Sequence, residues 1–264
     1  MYDLSAYHFL VVRPARQAQQ WSQQLLALGA HVTLQPMMSI IPLEDEISER
    51  AIINCVLGFA EYQKAIFISQ NAVAYGLDWL DRYWPQLPID MEYFAIGKAT
   101  AALLAEGTQA GILQYSPEQA MNSEDLLAHP RLQSIAGEKI IIFRGKDGRV
   151  HLSEQLSARG ASVDYCEVYQ RQTPQQVAPL EDTFRHTTRQ PVLVVHSAET
   201  LTNVCEYIDP VSIQWLQTQH ILVPGQRVAK IASDAGFLHI IEAENATHES
   251  MVTALINTEK QATT

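Results

Sequence analysis

Ile140, Ile141, Ile142 and Phe143 form an unbroken apolar run, as a strand buried on both faces requires, and a basic glycine-rich turn follows at residues 144–149. Leu152 and Leu156 recur at helical spacing, and Gly160 stands where that helix needs its C-terminal cap. A second strand pattern closes the segment at residues 162–168. The same succession of strand, turn, helix, glycine and strand occurs earlier, over residues 10–35. Arg13 matches Arg144, Gln24 matches Gln155, Leu25 matches Leu156, Gly29 matches Gly160, Ala30 matches Ala161 and Val32 matches Val163, all in one frame. Chance supplies one or two such pairs, not six. In nearly the same frame, residues 65–69 match 193–197, Gly97 matches Gly225, and residues 123–127 resemble 248–252. The chain therefore reads as two copies of one βα-rich unit of about 130 residues.

The pattern predicts strands at 9–13, 31–36, 65–68, 93–96, 111–115, 139–143, 162–168, 192–196, 220–223 and 238–242, with helical patterns between them. Such alternation calls for two five-stranded parallel sheets with helices on both faces. Two extended, proline-flanked segments, at about 36–42 and 168–174, occupy the same place in each repeat. If both are crossings, residues 1–37 join 172–264 in a discontinuous domain and 38–171 form an inserted one. A single cut near residue 135, one repeat per domain, also gives five strands each. The double crossing is preferred, because the proline-flanked segments look like linkers and residues 133–137 only like a turn.

Composition changes this picture little. Apolar residues at 47% and charged residues at 18% are those of a globular protein, with a polar tail at 258–264. The net charge of −11 argues against nucleic acid or an anionic membrane as partner, since no basic block offsets it. No apolar run reaches the ~18 residues of a membrane span, and no basic segment precedes the apolar N-terminal stretch as in a secretory signal. Three scattered cysteines, Cys55, Cys166 and Cys205, read as reduced thiols of a cytoplasmic protein.

In parallel sheets, ligands gather where strands end and helices begin. There stand Arg13, then Ser69 and Asn71, then Gly97, Lys98 and Thr100, then Arg144, Gly145 and Arg149, then Ser197, and finally Gly225 and Arg227. Serine and asparagine cap helices, glycine lets a ligand reach bare amides, and such amides bind anionic oxygens. Singly each is a cap or a turn; together they describe an anion-binding cleft. No dinucleotide fingerprint, P-loop, nucleophile elbow or metal-spaced histidine and cysteine set is present, so neither a metal nor a cofactor is expected. His196 and Ser197 adjoin at a strand end, but strand neighbours point to opposite faces and make a poor catalytic pair.

Taken in order, Val12-Arg13-Pro14, Leu28-Gly29-Ala30, residues 67–73, residues 95–101, residues 123–127, Phe143-Arg144-Gly145, Arg159-Gly160-Ala161, Val168-Tyr169 and residues 225–229 resemble the uroporphyrinogen-III synthase family over nearly the whole chain. The resemblance implies an α/β fold of two flavodoxin-like domains, each a five-stranded parallel sheet with helices on both faces, joined by a two-stranded linker, with the active site in the cleft between them. It implies closure of hydroxymethylbilane, a linear tetrapyrrole, with inversion of ring D to uroporphyrinogen III and release of water. It implies no metal and no organic cofactor. Tyr169 matches the family's linker tyrosine and is the candidate proton donor. Ser69, Thr100, Ser197 and Gly225 match positions near the substrate carboxylates, and Arg13, Asn71, Gly97, Lys98, Arg144, Gly145 and Arg227 complete the expected substrate-binding set. The sequence departs from the family at Arg227-Val228, where hydroxyl residues are frequent, and at His196, where threonine is common. The expected state is a cytoplasmic monomer making a transient contact with the preceding pathway enzyme. The rival readings are a two-domain protein binding a polycarboxylate without turnover and a pair of receiver-like domains. The second needs acidic residues where Arg13 and Arg144 stand.

Overall fold

The alternating pattern resolves into two separate sheets in the computed structural model, which describes residues 3–88, 90–108, 122–148, 150–175 and 177–262. In chain order the described strands are β1 (Tyr7–Val11), β2 (His31–Leu34), β3 (Ser39–Pro42), β4 (Lys64–Phe67), β5 (Glu92–Ala95), β6 (Lys139–Gly145), β7 (Ser162–Gln172), β8 (Gln190–Val194), β9 (His220–Pro224) and β10 (His239–Ala243). They group into two compact units, residues 1–39 with 172–264 (unit 1) and residues 40–171 (unit 2).

Unit 1 holds a parallel five-stranded sheet in the order β10-β9-β8-β1-β2. Both faces are covered, as the unbroken apolar runs require. Phe9 and Val11 pack with Trp21, Leu25 and Met251 on one face. Their strand neighbours Leu10 and Val12 pack with Phe184, Leu193 and Val204 on the other. Burying each such large side chain contributes about 1.5–3 kcal/mol. The stretch after β2 is tied down within the unit, where buried Asn203 donates to the Met37 carbonyl at 2.7 Å.

Unit 2 orders its strands β3-β7-β6-β4-β5, with β7, β6, β4 and β5 parallel. Ile141 and Phe143 enter one core and Ile140 and Ile142 the other. At the amino ends of the strands, buried Lys64 on β4 pairs with Glu138 and, at 3.2 Å, with Glu92 on β5. The expected strand at 111–115 lies outside the described residues. Strand occupies part of both stretches expected to cross between domains. Residues 39–42 form β3, and β7 runs on from 168 to 172. As the edge strand of its sheet, β3 can carry Pro42, because an edge tolerates a missing N–H.

The pairing of β6 with β7 slips once: Arg144 faces Glu167, but Gly145 faces Tyr169. Plain alternation would send Val168 and Tyr169 to opposite faces. With the bulge, both lie in the same core cluster, while Tyr165 lies in the other.

Candidate functional site

At the carboxyl ends of β4, β5, β6 and β7, unit 2 opens a cavity of about 480 Å³ whose lining includes Ile68, Ile96, Arg144, Gly145, Tyr165 and Tyr169. Tyr169 comes from β7 just past the bulge and is only 4% exposed. Its ring lies against Gly145 on β6 and stacks on Tyr75 at 5.9 Å between centroids. Tyr75 is steadied by donating its hydroxyl to the Ile40 carbonyl at 3.2 Å. The Tyr169 backbone carbonyl accepts from the Lys146 N–H at 2.8 Å. Ring and backbone are thus both fixed.

The Tyr169 hydroxyl meets Ser69 Oγ at 3.0 Å. Ser69 precedes the helix Gln70–Tyr83, and its Oγ accepts the Ala72 N–H at 3.1 Å, capping that helix. Either hydroxyl can donate to the other. When Ser69 donates, the phenol proton of Tyr169 is left free for a third group. Ser197 does the same capping for the helix Ala198–Tyr207 in unit 1, accepting the Thr200 N–H at 3.2 Å and lying 2.8 Å from Thr200 Oγ1. Ser69→Ala and Ser197→Ala are each expected to lower stability by about 1 kcal/mol, the usual worth of a cap. Urea unfolding with unchanged slope is the check.

The other expected site residues divide into distinct groups. Arg144 is 2% exposed and already engaged. Its Nε donates to the Gly145 carbonyl at 3.1 Å, its guanidinium lies 4.3 Å over the Tyr165 ring, and Glu167 is 3.7 Å away. Tyr165 is held in turn by the Ser153 hydroxyl. Arg144 therefore builds the cavity wall, and Gly148 leaves room for its guanidinium. Gly145 seats the Tyr169 ring, for a Cβ there would stand 2.6 Å from the nearest ring carbon. Gly97 and Gly225 occupy matching places before the helices Lys98–Gly107 and Gln226–Asp234, at φ 88° and 86°. That conformation belongs to glycine and leaves the first amides of each helix uncrowded. Thr100 is buried in the first helix, Lys98 is exposed on it, and Arg227 is exposed on the second. Asn71 sits in the first turn of the helix that Ser69 caps. Neither Asn71, Lys98 nor Thr100 lines the cavity. Arg149 lies outside the described residues.

Arg13 follows β1 in unit 1 and His196 follows β8, the strand beside it. His196 packs edge-on to Trp21 at 5.1 Å, and burial, then Arg13 and His248, push its pKa down to about 3. Burial also lowers the Arg13 pKa. Tyr75, Tyr165, Trp21 and His248 do not read as site residues in the sequence, because their part in the site comes only from contacts between segments distant in the chain. Among the described residues, no three His, Cys, Asp or Glu side chains gather as metal ligands, and no helix is long and apolar enough to cross a membrane.

Comparison with known proteins places this geometry in context. The family model described as Uroporphyrinogen-III synthase HemD matches residues 19–253. Uroporphyrinogen-III synthase of Escherichia coli K12 is 35% identical over 251 residues, 93% of this chain and 98% of the relative. The Salmonella typhimurium LT2 protein of the same name is 32% identical over 249 residues, again 93% and 98%. Two solved structures share the fold. A mutant uroporphyrinogen III synthase of the extremely thermophilic bacterium Thermus thermophilus has a TM-score of 0.57 at 16% identity, covering 97% of this chain and all of that one. Uroporphyrinogen-III synthetase of Helicobacter pylori 26695 has a TM-score of 0.54 at 13% identity, covering 98% and 100%.

Proposed function

The chain belongs to the uroporphyrinogen-III synthase family and is a uroporphyrinogen-III synthase, and from that premise we propose that it closes hydroxymethylbilane with inversion of ring D, with Tyr169 as the one proton donor to the departing hydroxyl. The observation that carries this reading is the hydrogen bond between Ser69 and Tyr169, a tyrosine that lines the cavity at the strand ends.

The chemistry asks for little else. Loss of the hydroxymethyl oxygen, protonated as it leaves, gives an azafulvene that is already a strong electrophile. The enzyme holds the chain so that the substituted carbon of ring D attacks first, through a spiro intermediate, ahead of unguided closure. That is catalysis by positioning, with a donor worth comparatively little. Ser69, donating to the Tyr169 oxygen, leaves the phenol proton to the substrate. The bare amides after Gly97 and Gly225, with Arg13, Asn71, Lys98, Thr100, Ser197 and Arg227, take the substrate carboxylates. An acidic protein can bind a polyanion this way because the attraction is local. Arg144 and Gly145 act by shaping the Tyr169 pocket.

The strand order of unit 1 supports a flavodoxin-like domain. Numbered within the unit it reads 2-1-3-4-5 from β2 to β10. The grouping of residues 1–39 with 172–264 supports a discontinuous domain around an inserted one. The protein works as a cytoplasmic monomer, receiving its unstable substrate through a transient contact with the preceding enzyme.

Incubation with hydroxymethylbilane after exhaustive chelation, then oxidation and separation of the uroporphyrin isomers, tests the reading. Type III product at an undiminished rate is expected. Type I alone, at the spontaneous rate, overturns it.

A further inference from the structure

Unit 1 carries a cluster of nitrogen groups that neither the fold nor the Tyr169 site uses. Arg13 Nε, Trp21 Nε1, both ring nitrogens of His196 and Nδ1 of His248 are buried with no hydrogen-bond partner among the described residues. The four side chains belong together. Trp21 stacks edge-on to His196 at 5.1 Å and to His248 at 5.7 Å, and Arg13 and His248 both act electrostatically on His196. Trp21 is 3% exposed and forms the floor, while Arg13, His196 and His248 are partly exposed.

Position and chemistry both point to a ligand. Chain order reverses between β1 and β8, which are neighbours in the sheet, and Arg13 and His196 follow those two strands. Such a reversal is where open parallel sheets bind ligands. A guanidinium and an indole N–H are donors only, and each histidine can donate once more. A water molecule would satisfy donors but leave the guanidinium charge uncompensated; a carboxylate does both. The other repeat sharpens the contrast. Arg144, the counterpart of Arg13, is occupied by the Gly145 carbonyl, Glu167 and the Tyr165 ring.

We propose that Arg13, Trp21, His196 and His248 form a carboxylate subsite at the carboxyl edge of unit 1, which binds one acidic side chain of the tetrapyrrole. This rests on the function proposed above and assigns Trp21, His196 and His248 to substrate binding.

The test compares wild type, Arg13→Met and Trp21→Phe in steady-state turnover of hydroxymethylbilane and in thermal unfolding without ligand. Arg13→Met is expected to raise KM about tenfold, as for a lost charge-assisted hydrogen bond, with the larger effect on KM than on kcat. Trp21→Phe keeps the ring, loses the N–H and should raise KM about threefold. The free Arg13→Met protein should melt no lower than wild type, because an uncompensated buried charge has been removed. Should Trp21→Phe fail to fold, the indole ¹H–¹⁵N signal of Trp21 in the wild type, titrated with uroporphyrinogen III, replaces it and should shift. Wild type making type III isomer while both variants keep KM, or an unmoved indole signal, overturns the subsite and leaves the proposed function standing. Wild type making no type III isomer instead strikes the function itself.

Discussion

Tyr169→Phe is expected to lower kcat about 10- to 100-fold while leaving KM within about threefold, at or below the usual worth of a general acid. The substitution removes one oxygen and keeps the ring, which remains against Gly145 and Tyr75. Ser69 keeps its cap on the Ala72 N–H and loses only its contact with the phenol. The fold should therefore survive, and the kinetic loss should report the proton alone. The loss stays modest because the electrophile forms readily once the hydroxyl departs. Stopped-flow turnover with hydroxymethylbilane, corrected for spontaneous closure, measures it. A rate equal to wild type would assign the proton to another group.

Gly145→Ala should act on the same hydroxyl by displacing the Tyr169 ring, and should cost stability as well. Its Cβ would stand 2.6, 2.8 and 3.1 Å from three carbons of the Tyr169 ring. Ordinary contacts between carbons are ~3.5–4.0 Å, so the ring must move. Tyr75 stands on the ring and the Lys146 N–H holds the Tyr169 carbonyl, so the shift disturbs the 3.0 Å contact with Ser69. Overpacking of this kind costs about 1–3 kcal/mol of stability. The expected result is a loss of kcat approaching that of Tyr169→Phe, together with a lower urea midpoint. Adding Gly145→Ala to Tyr169→Phe should cost little further kcat, because both act through one hydroxyl. Full additivity in kcat would mean that Gly145 acts on something other than Tyr169.

Much of this was legible in the sequence because it is local. The apolar runs of β1 and β6 are strands buried on both faces, as an unbroken run requires. Ser69 and Ser197 cap helices, as their place before apolar-periodic stretches suggests. The remainder depends on pairings between distant segments. Nothing in residues 162–172 announces the slip opposite Arg144 and Gly145, yet that slip turns Tyr169 toward Val168's side. Residues 39–42 read as linker because the sheet edge that accepts them is made by β7, far along the chain. Arg144 read as a substrate ligand because its stacking on Tyr165 and its hydrogen bond to Gly145 exist only once β6 and β7 lie side by side. His196 stood out as a departure from its family, but nothing in the sequence tied it to Trp21 or His248, which surround it in the fold.

The isomer composition produced by Tyr169→Phe tests the central claim most directly, namely that positioning directs the ring closure and Tyr169 only assists departure of the hydroxyl. With enough enzyme to outrun spontaneous closure, the variant should still give uroporphyrinogen III as its main product, only more slowly. Enzyme-dependent turnover giving chiefly the type I isomer would contradict this account.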